Sequence, residues 1–468
     1  MRAADFVRRD GTVVYWGLLF AMSAALAILG AHPVKIGGLV VAAFAVQRFG
    51  LALVPLYLGM VLFLPEAGGP FPAILSLTDV LFWPLMLHAV LSRGALVLRS
   101  RVVFGALALA TASATALIVG VVVRDAALKP AFFNVYQQTA HLAGGLLALE
   151  AIRERADVAP LFNGMTLGGC LAAALGLAQV IGGETVVAVQ QGIAESIGYP
   201  AYEYAHVERY LWWGMHKAYA GFYSPNALGG ALMFCLLLAA GRQLRASSLP
   251  LLGASILLGA GLVATFSRGA ILAAVVSLVW LAWRSFRKGR PAVATTLAAS
   301  AILIPALYGV VVYGLTERTS IGAALEGGGT IEVAASLKRR SAEMKLEEMR
   351  NLLSMWRQGI GLFGAGYGVL YESDEGFVDA PHGVEVSPAY AEILYRSGVL
   401  GALALVTAAF MLRRVWRARG IMGPNGHPVQ PALLGALLHS AIDHPFLTVP
   451  GLVAIFWAGW GILEASED

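Results

Sequence analysis

Arg268 stands in Phe266-Ser267-Arg268-Gly269, the short hinge between two long apolar runs. A cation among so much apolar sequence is costly to bury, and a guanidinium fork matches phosphate oxygens two at a time. It reads either as an anion clamp or as an arginine reaching out to lipid head groups. His382 stands in Asp379-Ala380-Pro381-His382-Gly383. Imidazole titrates near neutrality and suits proton removal from a hydroxyl, although most loop histidines are simply solvated. The run Gly359-Ile360-Gly361-Leu362-Phe363-Gly364-Ala365-Gly366-Tyr367-Gly368 precedes it. Such a run either brings backbone amides to an anion or makes a plain turn. No Gly-Lys-Ser/Thr ends it, so the phosphate-loop pattern is absent.

Further candidates lie elsewhere along the chain. Arg209 and Lys217 precede Gly221-Phe222-Tyr223-Ser224-Pro225-Asn226, where Asn226 suits a helix N-cap. Tyr199, Tyr202, Tyr204, Tyr210, Trp212, Trp213, Tyr219 and Tyr223 cluster there. Aromatics at that level form an interface belt or stack on sugar faces. Arg339 and Arg340 belong to Ser336–Gln358, where Leu346, Met349, Leu353 and Trp356 recur at helical spacing. A basic amphipathic helix of this kind lies at a membrane interface or packs on the bundle rim. Asp443 and His444 form a pair before Pro445 that either orients a substrate or caps a turn. Glu392 and Arg396 are spaced for an i,i+4 ion pair. The acidic stretch Glu372, Asp374, Glu375, Asp379 and Glu385 suits a solvated loop better than a metal site.

The elements that hold these residues follow from composition. In 468 residues, 58% are apolar and only 13% charged, and the mean hydropathy is +0.72. A soluble surface needs about 25% charged residues. The chain is therefore an all-α polytopic membrane protein. The 54 glycines suit close helix packing in lipid. Cys170 and Cys235 both lie in apolar runs and offer no disulfide framework, zinc spacing or redox motif. The pI near 9.2 comes from short basic clusters between apolar runs, which indicates membrane topology and no nucleic-acid partner.

Fourteen apolar segments stand out: Val13–Leu29, Val34–Val46, Gly50–Leu64, Leu75–Leu91, Val102–Val123, Thr139–Ile152, Leu161–Ile181, Phe222–Ala240, Leu249–Phe266, Gly269–Trp283, Val293–Tyr313, Tyr390–Leu412, Pro431–Phe446 and Val449–Leu463. The second and third also read as one broken helix pair and the thirteenth as re-entrant, which gives about twelve to fourteen spans. Val13–Leu29 reads as a retained helix, with a cleaved signal peptide as the alternative. With the N-terminus cytoplasmic, Arg48, Arg93, Arg99, Arg101, Arg153, Arg155, Arg242, Arg245, Arg284, Arg287, Lys288, Arg290 and Arg413 to Arg419 all fall in cytoplasmic connections. Only Lys35, Arg124, Lys129 and Arg268 fall in short external loops. The positive-inside rule then puts both termini in the cytoplasm and the candidate residues outside. The expected organisation is N-terminal helices over 1–221 with an external segment at 182–221, central helices over 222–313, a long external loop over 314–389 and C-terminal helices over 390–468.

Three blocks resemble the O-antigen ligase and polymerase superfamily of bacterial envelope glycosyltransferases. They are Gly221 to Gly229, similar to the family's Gly-x-Phe-x-x-Pro-Asn helix start; Thr265-Phe266-Ser267-Arg268-Gly269-Ala270, similar to its Ser-Arg-Gly hairpin; and the run from the basic helix through His382 to Tyr390–Gly401, similar to its long external loop, histidine and following Gly-x-x-Gly helix. Gly383 stands where the family usually has Asn, and Lys217 is one position further from the first block than the family's basic residue.

The resemblance implies an inverting, metal-independent glycosyltransferase without cofactor at the external face of the inner membrane. It implies an undecaprenyl-diphosphate-linked glycan donor and a glycan or lipid acceptor, with membrane lipids and polysaccharide assembly proteins as further partners. His382 would be the base and Arg268 the catalytic cation. Lys217, Arg209, Asn226, Arg339, Arg340, Asp443 and His444 would bind substrate. The competing reading is a lipid or polysaccharide transporter, for which His88, His141 and Arg48 are the ionisable residues near mid-helix.

Overall fold

The computed structural model describes residues 3–28, 32–64, 77–93, 100–123, 128–155, 157–196, 211–212, 215–222, 224–244, 248–326, 362–364, 366, 372–373, 376–377, 389–418, 427–442, 446 and 449–465. The described chain is a bundle of helices. In order they are α1 (Ala3–Ile28), α2 (Pro33–Phe49), α3 (Val54–Phe63), α4 (Leu77–Arg93), α5 (Arg101–Ile118), α6 (Leu128–Ala140), α7 (Gly144–Arg155), α8 (Ala159–Ser196), α9 (Pro225–Gln243), α10 (Leu249–Ala264), α11 (Arg268–Arg287), α12 (Pro291–Glu326), α13 (Ala389–Ala418), α14 (Gln430–Ser440) and α15 (Pro450–Ala465). Two short antiparallel pairings accompany them, Leu211–Trp212 with Met215–His216 and Glu372–Ser373 with Gly376–Phe377. Seven described stretches are long and apolar enough to cross a membrane, and shorter apolar helices stand beside them. This is an all-α polytopic membrane protein.

The bundle is built around α9. Its sequence is apolar on every face, which is the pattern of a helix with no exposed side. Almost all of its side chains are buried, and α8, α10, α11 and α14 pack around it. Small residues let the backbones approach, as expected where lipid supplies no hydrophobic drive between helices. A Cβ on Gly164 or Gly168 of α8 would stand 2.1 Å from the Pro55 carbonyl oxygen or 2.3 Å from that of Gly59, on α3.

Three glycines break the helical path, Gly50, Gly183 and Gly398, with φ of 60°, 54° and 57°. At Gly50 the chain reverses. Gly38 on α2 lies against Val80 of α4, Tyr57 on α3 stacks near Phe82 of α4, and Gly50 lies beside His88 and Glu154. Helices α2 and α3 therefore form a V astride α4, with its apex at Gly50. The two apolar segments on either side of Arg48 are separate limbs.

Other boundaries differ from the sequence expectation. The sixth helical stretch begins at Leu128, well before Thr139. Helix α8 runs past Ile181 to Ser196, with its bend at Gly183, so the expected external segment at 182–221 begins as helix. Helix α12 continues beyond Tyr313 to Glu326, which shortens the expected loop at 314–389 from its start. Trp16 and Gln47 are hydrogen-bonded at 3.0 Å, tying α1 to α2.

His141 is a buried residue of the membrane core. Its Nδ1 lies 2.8 Å from the Tyr57 hydroxyl and its Nε2 3.4 Å from Asp79 Oδ1. The Trp83 indole donates to the Tyr136 hydroxyl at 2.9 Å. All three members of the Tyr57–His141–Asp79 set are buried. Polar groups placed at this depth need partners from the protein itself.

One end of the bundle gathers the short-loop arginines. Arg242 donates to Asn163 at 2.8 Å, Arg284 to Gln430 at 2.9 Å and Arg290 to the Leu244 carbonyl at 2.9 Å. At this same end Glu464 of α15 closes the start of α5. Its carboxylate accepts from the Ser100 hydroxyl at 2.6 Å and from the amides of Arg101 and Val102 at 2.8 and 3.0 Å. A carboxylate satisfies helix-start amides that have no partner within the helix, and the helix dipole favours its charge. Glu464→Ala removes all three bonds, and the purified protein should lose about 1–3 kcal/mol of stability. A thermal-denaturation scan in detergent should show a lower midpoint, with Glu464→Gln in between. An unchanged midpoint in Glu464→Ala would show that water or another side chain takes over the cap.

Candidate active site

The opposite end of the bundle holds Arg268 and Lys217. Helix α10 ends at Ala264, and Thr265 Oγ1 donates to the Leu262 carbonyl at 2.7 Å while accepting from the Ser267 amide at 3.2 Å. Phe266 takes a φ of 56°, which a non-glycine residue adopts only under constraint. This tight reversal makes Arg268 the first residue of α11. Ser267 caps that helix without a side-chain hydrogen bond, and the first turn has no acidic residue. Arg268 is exposed. A helix start is electrically positive, so a cation there is opposed by the helix itself and favours an anion beside it.

Lys217 comes to the same place from the segment before α9. The Ala218 amide donates to the Ala264 carbonyl at 3.0 Å, which pins that segment to the end of α10. Burial lowers the pKa of the Lys217 ammonium below that of an ordinary lysine, and the nearby Arg268 charge lowers it further. Two cations therefore share one patch at the end of the bundle.

Glycine contacts bring the sequence blocks together here. A Cβ on Gly229 would stand 2.6 Å from Ser267 Cβ, so the first block meets the second. Gly221 lies against the Phe63 carbonyl at the end of α3, where a Cβ would come within 2.7 Å. Helix α9 is capped by Ser224, whose side chain accepts from the Ala227 amide at 3.1 Å. Asn226 is therefore not the cap. It is an exposed residue in the first helical turn, because Pro225 takes the N1 position that suits its fixed φ. Tyr219 is buried, so it does not belong to an interface belt.

Two side chains unmarked by any motif shape this corner. Gln179 of α8 is fully buried. Its carbonyl oxygen accepts from the Tyr219 and Ala220 amides at 3.0 and 2.8 Å, and its amide donates to the Ala220 carbonyl at 3.2 Å and to Gln190 Oε1 at 2.6 Å. Gln190 also donates to the Ala220 carbonyl. A glutamine in an apolar run carries one faint sequence signal: a buried amide must find partners. His439 of α14 is the other missed neighbour. It is fully buried, within 3.6 Å of where a Gly269 Cβ would stand, and edge-on to Phe446.

The described part of the glycine-rich run is a packing turn. Gly364 and Gly366 have φ of 75° and 85° and are buried. The Gly366 amide donates to the Arg396 carbonyl at 3.0 Å, while the Leu400 amide donates to the Leu362 carbonyl at 3.3 Å. In an unbroken helix Leu400 would bond to Arg396. The loop is thus spliced into α13 where Gly398 opens it, and the Gly366 amide is committed to that splice. A Cβ on Gly366 would stand 2.5 Å from Gly120 of the π-helical turn after α5. Arg396 is buried at this joint.

Arg209, Arg339, Arg340, His382, Asp443 and His444 lie outside the described residues, as does all of Ser336–Gln358. The side chain of Glu392 and those of the acidic stretch likewise lie outside the described part. Of the expected site residues, the structure brings Arg268 and Lys217 together and sets Asn226 at the neighbouring helix start.

The lowered pKa of Lys217 should show in its reactivity. At mildly alkaline pH an amine-directed acylating reagent should modify Lys217 faster than the average exposed lysine, since more of it is neutral. Arg268→Ala should slow that reaction by removing part of the cause, and peptide mass spectrometry would follow it. Equal rates in the two proteins would place the cations out of each other's reach. At the loop splice, Gly364→Ala meets backbone 2.5 Å away at Arg396 and should lower the thermal midpoint more than substitution of exposed Leu362.

A protein-family model described as O-antigen ligase matches residues 253–422. The match takes in the Arg268 hairpin, the loop splice and α13, and stops short of Lys217 and the α9 start on the N-terminal side. Neither the curated proteins nor the solved structures searched returned a match. Over residues 253–422, this membrane protein is therefore similar to the O-antigen ligase family.

Proposed function

We propose that the protein is an envelope-polysaccharide glycosyltransferase of the bacterial inner membrane. It moves a glycan from an undecaprenyl-diphosphate carrier to an acceptor hydroxyl, as a ligase or a repeat-unit polymerase, at the external face. The observation that carries this reading is the pair of cations at the positive start of α11, Arg268 inside the matched region and Lys217 on the segment before it. A diphosphate is the ligand whose charge and oxygen geometry suit two cations and a helix start. The external placement rests on the distribution of short-loop arginines, which gather at the other end of the bundle.

The chemistry is a direct displacement. The acceptor hydroxyl oxygen attacks the anomeric carbon and gives its proton to His382. The bond from that carbon to the diphosphate oxygen breaks, and its electron pair leaves with the diphosphate. Arg268 and Lys217 hold that group and take up its growing charge. Attack opposite the leaving group inverts the anomeric configuration. The activated carrier supplies the driving force, so the step calls for no nucleotide, metal or other cofactor. Asn226, Arg209, Arg339, Arg340, Asp443 and His444 are assigned to substrate binding in this reading.

The second reading, a lipid or polysaccharide transporter, draws on the buried Tyr57–His141–Asp79 set, since ionisable groups in membrane helices often mark transport paths. Purified protein with a lipid-linked glycan and acceptor separates the two. His382→Ala should cut transfer by about 100-fold or more while leaving donor binding nearly unchanged. Arg268→Lys should be impaired through loss of the fork, and Arg268→Ala more so. Wild-type transfer by His382→Ala would move the base elsewhere, and normal binding and transfer by Arg268→Ala would reduce the arginine to a head-group anchor.

A further inference from the structure

Ala220 has a φ of 50°, a backbone state that an L side chain rarely holds. It occupies the first central position of a turn closed by the Phe222 amide donating to the Tyr219 carbonyl at 2.9 Å. When the first central residue of a turn has positive φ, glycine is the usual occupant. Here alanine is held there by side chains. Gln179 and Gln190 lie on the two sides of the Gly183 bend in α8. In a straight helix their separation along the axis would be about 16 Å, yet their amides are hydrogen-bonded at 2.6 Å. The bend therefore folds α8 back on itself and closes both amides on one peptide, that of Ala220.

We infer that Gln179, with Gln190, is the positioning clamp for Lys217: the two amides fix the Ala220 turn, and the turn sets Lys217 beside Arg268 for a diphosphate ligand. The inference rests on the proposed site reading and goes beyond it. It extends the site to a helix outside the family match and to residues that touch no substrate.

The geometry closes on the C-terminal side of Lys217. Downstream, Tyr219 and Ala220 are bound through their amides to Gln179, and Gly221 is seated on the end of α3. On the near side, the Ala218 amide is bound to the Ala264 carbonyl at the end of α10. Lys217 is the first residue beyond these fixed points. Without the clamp, Ala220 is free to return to a negative φ, and the chain direction through Ala218 changes with it. Lys217 then leaves Arg268. Gln179 makes its bonds in a buried setting, where water cannot replace them. The role is positional because, among the described residues, Gln179 hydrogen-bonds to backbone and to Gln190.

The test uses the full-length protein in nanodiscs with undecaprenyl diphosphate as the binding probe. Lys217→Ala should weaken binding by about tenfold, and Gln179→Ala should weaken it by a similar factor. The double variant should bind no worse than Lys217→Ala alone, since the two residues then act as one unit. Ala220→Gly placed in the Gln179→Ala background should recover part of the loss, because glycine holds the positive φ unaided. In turnover assays the donor KM should rise in Gln179→Ala while the acceptor KM stays put. Gln190→Ala, at a part-buried position, should show the same pattern more weakly, and it carries the test should Gln179→Ala not fold. If Lys217→Ala is weakened but Gln179→Ala and Gln190→Ala bind normally, or if the losses multiply in the double variant, the clamp inference is overturned and the site stands. If Lys217→Ala binds like the wild type, the site reading fails and takes this inference with it.

Discussion

Backbone amides inside a bilayer can be satisfied only by other protein groups, and this constraint organises the structure. A continuous helix meets it without help. A broken helix does not, and this protein breaks its helices at Gly183 and Gly398 with nearly the same backbone angles. Each break is answered by a specific partner. At Gly398 the loop residues Leu362 and Gly366 exchange hydrogen bonds with the opened helix. At Gly183 the bend brings Gln190 back to Gln179, and the pair serves the strained Ala220 peptide. The breaks are therefore where irregular chain can be held at the end of the bundle, and the candidate site is assembled from such chain.

The second organising fact is electrostatic. Lys217 and Arg268 repel each other, and the start of α11 repels both. Their mutual repulsion by itself opposes folding. The arrangement persists because the surrounding helices are packed through glycine contacts that leave little freedom. Gly229 admits Ser267, and Gly221 admits the end of α3. An anion relieves the repulsion at once. Under the proposed function, the cost of holding the cations together in the free protein would be recovered on binding the diphosphate, which is how a preorganised charge site gains affinity.

The two ends of the bundle are built on different principles. At one end, cations are held by hydrogen bonds and ring faces of fixed partners. Arg284 meets Gln430 and the face of Trp280, Arg242 meets Asn163 and Phe162, and Glu464 closes the start of α5. These contacts lock helices from the two halves of the chain. At the other end, Arg268 is exposed, Lys217 is half-buried and hydrogen bonds are spent on backbone turns.

By itself the sequence determined the membrane class and most of the helices. Those depend on local composition: apolar runs long enough to span, and charges whose hydration keeps them out of lipid. The ranges from α9 to α11 and α15 were legible to within a few residues for that reason, and so was the exposed place of Arg268 between two runs. The tertiary structure decided what local composition does not encode. Gln179 looks like an interruption in an apolar segment until Ala220 is beside it. The run from Gly364 to Gly366 is open to either an anion or a turn until Arg396 and Gly120 fill the space. His141 reads as a mid-membrane ionisable residue until Tyr57 and Asp79 close around it. In each case the deciding partner lies on another helix, tens or hundreds of residues away in sequence. A polar or glycine residue gains its role only from the group that folding sets against it.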